Sequence, residues 1–129
     1  MLSLNVQRNS GAQRIAVMIF VVETDERSLY AFPSEAEAIA NCEGLDVEAA
    51  VWLFWDDSGK PLAPRFSVPN KRGLFKSTSG SYTLVPDADH HAPLAEALEE
   101  ILHYECPPPF DSETGVRDYL AARSHVFKP

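Results

Sequence analysis

The chain has 129 residues, of which 45% are hydrophobic, with 19 Asp plus Glu against 11 Lys plus Arg, for a net charge of −8. That length fits one domain able to bury about two-thirds of its unfolded surface without a metal or disulfide staple. The charge opposes binding to nucleic-acid backbones and to anionic membrane surfaces, and it favours solubility and a basic partner.

In chain order, Leu2, Leu4 and Val6 alternate with Ser3, Asn5 and Gln7, which is strand periodicity. Asn9-Ser10-Gly11 signals a turn, and Ile15–Val22 is a β-branched run, so a hairpin is expected. A rival reading starts the protein at Met18, with residues 1–14 an extension. The apolar run is eight residues long, against about 20 for a membrane helix, and the polar start shows no secretory signal. A cytoplasmic protein is expected.

Glu23–Ser28 reads as a charged turn before a short strand, Leu29–Phe32. Ser34 followed three residues later by Glu37 is a capping box, so Ser34–Glu43 is expected to be helical, with Gly44 ending it and Leu45 closing a Schellman-type contact. Val47–Trp55 reads as a strand, with Val51, Leu53 and Trp55 on one face and Trp52 and Phe54 on the other. Large apolar residues on both faces predict a central, doubly covered strand. Asp57-Ser58-Gly59 makes a tight turn, and Pro61–Val68 returns as a broken or edge strand, because proline donates no ladder hydrogen bond. Pro69–Gly80 is expected to be a loop, and Ser81–Val85 a strand stopped by Pro86.

Pro93 at a first helical position opens a second helix, with Leu94, Ala97, Leu98, Ile101 and Leu102 in an amphipathic stripe and Glu96, Glu99 and Glu100 facing away. The prolines after Cys106 end it, and Ser112 caps a last helix through about Arg123, with Val116, Tyr119 and Leu120 inward. The expected fold is α+β over residues 1–129: a mostly antiparallel sheet carrying about three helices.

Chemistry is sparse. Asp87-Ala88-Asp89-His90-His91 mixes carboxylates and imidazoles, and Asp89-His90-His91 matches the signature of the DHH phosphoesterases. Those enzymes are longer and need further aspartate motifs, so the segment reads as a polar loop before a helix. A small metal-dependent hydrolase built on Asp87, Asp89, His90 and His91 is the enzyme alternative. No serine elbow, phosphate loop or dinucleotide fingerprint occurs. Cys42 and Cys106 read as unreactive thiols in a reducing compartment. Arg65, Lys71, Arg72 and Lys76, interleaved with Phe66 and Phe75, could suit a single nucleic-acid strand, but read better as a solvated loop. No catalytic residue, metal or cofactor is expected. Adjacent Asp56 and Asp57, with side chains pointing apart, make a poor acid–base pair.

The stretches Tyr30–Asn41 (YAFPSEAEAIAN) and Glu48–Pro61 (EAAVWLFWDDSGKP), in a small, acidic, motif-poor chain, resemble the immunity proteins of bacterial polymorphic toxin systems. The resemblance implies a cytoplasmic protein that binds one basic toxin domain and occludes its active site. The residues expected to carry binding are Trp55, Asp56 and Asp57 on the hairpin and Glu96, Glu99 and Glu100 on the second helix. Type III secretion chaperones are similar in size and charge, and are the other binding alternative. Oligomeric state stays open.

Overall fold

The computed structural model describes residues 18–126, and side chains within it as far as Arg123. The expected Leu2–Val6 strand, the Asn9–Gly11 turn and the start of the Ile15–Val22 run lie outside the described residues.

The elements are β1 (Ile19–Glu23), β2 (Ser28–Phe32), α1 (Glu35–Ala40), α2 (Gly44–Glu48), β3 (Trp52–Trp55), β4 (Pro61–Val68), β5 (Lys71–Arg72), β6 (Ser77–Thr78), β7 (Ser81–Pro86), α3 (Leu94–Ala97), a 3₁₀ turn (Leu98–Glu100), β8 (His103–Tyr104) and α4 (Glu113–Val126). Six strands form one sheet in the order β7-β4-β3-β1-β2-β8, and β5 and β6 pair as a separate hairpin. Every pairing in the large sheet is antiparallel except β2 with β8, where Ser28 and Leu29 run beside His103 and Tyr104. The fold is α+β and mostly sheet. No described helix is long and apolar enough to cross a membrane.

The sheet is covered on both faces, as the two-sided apolar character of β3 predicts. On one face Phe20, Val22, Leu29 and Trp55 pack against Leu94, Leu98, Phe110, Val116 and Leu120. On the other, Ile19, Val21, Phe54, Leu62 and Tyr82 pack against Ala38, Cys42 and Val47. Adjacent residues of β1 therefore serve opposite cores, and both Phe20 and Val21 are fully buried. A strand buried on both faces carries a continuous apolar run rather than an alternating one.

Several local expectations are corrected. The helix expected over Ser34–Glu43 is real at its start, where the Ser34 hydroxyl accepts from the Glu37 amide at 3.1 Å. It ends at Ala40 with Asn41 as its C-cap, and Gly44 begins α2 instead of stopping α1. Val47 is consequently a buried helical residue, and the strand starts only at Trp52. Ala50, at φ 60°, turns the chain between α2 and β3.

The Pro61–Val68 strand sits inside the sheet order and not at its edge, while the expectation of a broken strand agrees with its register shift between Phe66 and Val68. Its prolines are tolerated because only Pro61 and Leu62 face β3, while the strand from Ala63 onward pairs with β7 alone. The Leu84 amide turns outward to the Glu35 carboxylate at 2.9 Å, so the opposing Pro64 lies in a non-hydrogen-bonded pair and its missing N–H breaks no rung.

The Pro69–Gly80 loop contains a short hairpin, with Lys71 opposite Thr78 and Arg72 opposite Ser77. The second helix is much shorter than its apolar stripe suggests. Pro93 is its N-cap, Leu94–Ala97 makes one α turn, and the 3₁₀ turn follows. Leu94 and Leu98 are buried, but Leu102 is 64% exposed, because the chain leaves helical geometry there to add β8 beside β2. The last helix is as expected: the Ser112 hydroxyl accepts from the Gly115 amide, and Val116 and Leu120 are buried with Tyr119 packed beside them.

Candidate functional site

The Asp56-Asp57 turn is a structural junction. Asp56 closes the β3–β4 turn on itself. Its carboxylate oxygen accepts from the Ser58 amide, the Ser58 hydroxyl and the Lys60 amide, each at 2.9 Å. Gly59 holds φ 83°, the left-handed conformation this turn needs, and its carbonyl accepts from the Leu94 amide at 3.0 Å. Asp57 pairs with Arg123 of α4. Burial pushes the Asp57 carboxyl above the usual carboxylate range; Arg123 opposes that shift and Asp56 adds to it. The two carboxylates thus point to different partners. Trp55 is 1% exposed, and its indole N–H donates to the Ala92 carbonyl at 2.7 Å. It is a core residue, so of the expected hairpin contacts only the two aspartates retain exposure. Glu96, Glu99 and Glu100 lie exposed on α3 and the 3₁₀ turn, away from the Asp57–Arg123 pair in sequence but tied to the same turn through Leu94.

In the Asp87–His91 segment only His91 turns inward, while Asp87 to His90 stay exposed. The Asp87 carboxylate accepts from the Asp89 amide at 3.1 Å, the side-chain-to-backbone turn common for Asp. His91 packs edge-on against Trp55, with ring centroids 4.7 Å apart. Its Nε2 lies 2.9 Å from the Phe54 carbonyl, which can only accept, so Nε2 carries the proton. Nδ1 then accepts from His90 Nδ1 at 2.8 Å. Both His91 nitrogens are engaged within the fold. Burial lowers the His91 pKa, against the raising effect of the Phe54 carbonyl and with a smaller push from His90. Among the described residues no three His, Cys, Asp or Glu side chains are grouped to hold a metal ion.

Cys42 and Cys106 are free thiols. Burial pushes Cys42 up to about 12 and Cys106 up to about 11, so neither has thiolate character at neutral pH.

A further concavity lies elsewhere on the surface. A groove of about 420 Å³ runs between the α1–α2 junction and the start of β7. Its lining mixes Ile39 and Trp52, both partly exposed, with Asn41, Ser79 and Ser81 over the buried Cys42 and Tyr82, and Glu43 and Asp46 stand exposed at its rim. The break between α1 and α2 makes this shape. The Tyr82 hydroxyl crosses to the Cys42 carbonyl at 2.6 Å, and the Ser79 hydroxyl donates to the Glu43 carboxylate at 3.2 Å. Trp52 is half-buried and extends the aromatic surface beyond the groove, standing edge-on to Tyr30 with centroids 5.8 Å apart. Glu23 sits directly across from Trp52 in the β1–β3 ladder, on the same face. Burial, then the charges of Glu105, Glu23 and Glu26, hold the Tyr30 phenol above its ordinary pKa.

Aromatic faces rimmed by carboxylates suit a Lys or Arg side chain, through cation–π contact and ion pairing together. The sequence reading puts Trp52 on one face of a central strand and leaves Asp46 just before that strand. The signal it missed is Asp46 in the first turn of a helix opened by Gly44. No protein family, curated protein or solved structure significantly matches this chain.

Proposed function

We propose that the protein is an immunity-type binding domain that captures a basic partner on the Trp52 groove and blocks that partner's active site. The observation that supports this reading is the groove itself: a mixed polar and apolar lining in which Trp52 is the partly exposed aromatic, with Glu43 and Asp46 at the rim and Glu23 beside Trp52. A toxin that cleaves nucleic acid or consumes nucleotides needs a cationic cleft for phosphate. An acidic surface with a partly exposed tryptophan competes for such a cleft by charge and anchors in it by apolar contact. Glu96, Glu99 and Glu100 add a second acidic face that speeds encounter by steering.

The test is a pull-down from the native organism, with co-expression against the product of the adjacent gene. A stable complex and rescue of growth are expected. The paired substitution Glu43→Lys with Asp46→Lys should slow association and lose its salt dependence, and Trp52→Ala should weaken binding by about 2 kcal/mol or more. A partner whose association is untouched by these changes would move the interface to the Glu96–Glu100 face. No complex and no rescue would refute the reading.

A further inference from the structure

Charge is divided unevenly along this acidic chain. Residues 58–86 hold Lys60, Arg65, Lys71, Arg72 and Lys76 and no acidic residue, so all 19 Asp and Glu lie outside them. Within that segment the β5–β6 hairpin carries Lys71, Arg72 and Lys76, all exposed. Its tip places Leu74 at 89% and Phe75 at 96% exposure, and Val68 nearby is 50% exposed. Among the described residues the ion pairs are Arg117–Glu113 and Arg123–Asp57, and among those residues no hairpin cation is ion-paired. An exposed apolar tip beside cations that have no ion-pair partner among the described residues leaves two large side chains in water, which marks an interaction surface.

The groove offers the complementary chemistry. Its partly exposed lining residues Ile39 and Trp52 match an apolar tip, and Glu43 and Asp46 match the cations around it. The two features also adjoin: β6 ends at Thr78, and the groove wall begins at Ser79 and runs through Gly80 and Ser81 to Tyr82. A finger beside a groove on one surface is the arrangement that allows reciprocal exchange about a two-fold axis, with each finger in the other copy's groove.

We propose that the β5–β6 hairpin, led by Leu74 and Phe75, docks in the Glu43–Asp46–Trp52 groove of a second copy of this chain. The occupant is a second copy because the rest of the molecule is strongly acidic, which opposes approach of the same finger to a phosphate backbone or an anionic bilayer. The inference rests on the groove reading in one respect: a basic partner and the second copy would compete for the same groove. Partner binding then converts dimer to monomer.

Analytical ultracentrifugation of the full chain tests this. Dimers are expected at about 30 mM salt, weakening toward about 300 mM as charges are screened. Lys71→Glu with Lys76→Glu, checked for folding by circular dichroism, should weaken association by about tenfold or more. Glu43→Lys with Asp46→Lys should do the same, and a chain carrying all four reversals should regain dimerisation. Phe75→Ser should weaken association without salt dependence of its own. A wild-type chain that stays monomeric at low salt overturns the proposal, as does a dimer indifferent to the finger substitutions. A monomer whose finger instead captures phosphatidylserine vesicles or an oligothymidine strand also overturns it, in favour of that ligand. The two readings fail separately. A monomer that still binds the basic partner through Glu43 and Asp46 removes the second copy and keeps the groove, and a dimer without any partner does the reverse.

Discussion

His91 and Arg123 show how single side chains turn a sequence motif into a structural joint. Beside Trp55, His91 is neutral, donating from Nε2 to the Phe54 carbonyl. Its folded pKa lies below the ordinary value near 6.5 mainly because burial disfavours the charged ring. Between those two values the unfolded chain holds a proton that the folded chain resists, so stability falls as pH drops through that window. Urea melts at several pH values between 7.5 and 5 should show this loss, and His91→Gln should remove part of it. An identical pH dependence in the variant would contradict the assignment. Arg123 is the larger of the two influences that hold the Asp57 pKa down against burial, a backbone hydrogen bond being the other. Arg123→Ala should therefore raise the Asp57 pKa further, readable by NMR titration, and cost roughly 2 kcal/mol, less than the loss of a fully buried pair because both side chains keep some water contact. The identity of these residues was plain in the sequence. Their partners, 37 and 66 positions away, were not, because nothing local encodes a contact at that separation.

Elements were legible where local chemistry decides them. Ser34 and Ser112 cap their helices as hydroxyls before a helical run do, and the β3 residues divide between two faces as strict alternation requires. Local chemistry failed where packing overrules it. The stripe Leu94 to Leu102 has helical spacing, yet its last turn is given up so that His103 and Tyr104 can pair with β2. Gly115 makes the same point from within a helix. A glycine in the first turn of α4 looks like a weakness, but a Cβ there would lie 1.7 Å from the Pro109 carbonyl oxygen. Gly115→Ala should therefore destabilise by up to about 3 kcal/mol, the range of forced overpacking, where an exposed helical glycine would gain from the change. A thermal melt of the variant decides it, and a raised midpoint would refute the steric account.

At the scale of the molecule, one sheet joins two cores. β3 carries Trp52 toward the α1–α2 side and Trp55 toward the α3–α4 side, and Phe20 and Val21 of β1 do likewise. Neither core can lose its sheet without uncovering the other, so the two should unfold together. In Trp52→Phe the remaining tryptophan reports one face, and in Trp55→Phe the other. Within each variant the fluorescence and far-ultraviolet circular dichroism transitions should coincide in urea, and separate midpoints would show two independent units. By itself the sequence determined the class of fold, the doubly buried central strand and the starts of α1 and α4, because each follows from side-chain period and caps within a few residues. Only the tertiary structure decided that the Asp56-Asp57 turn is an internal joint, that Trp55 is core, and that Trp52 with Glu43 and Asp46 forms the open groove. Those outcomes depend on which strands become neighbours and where α1 breaks from α2. Long-range packing settles both, and no short stretch of residues carries that information.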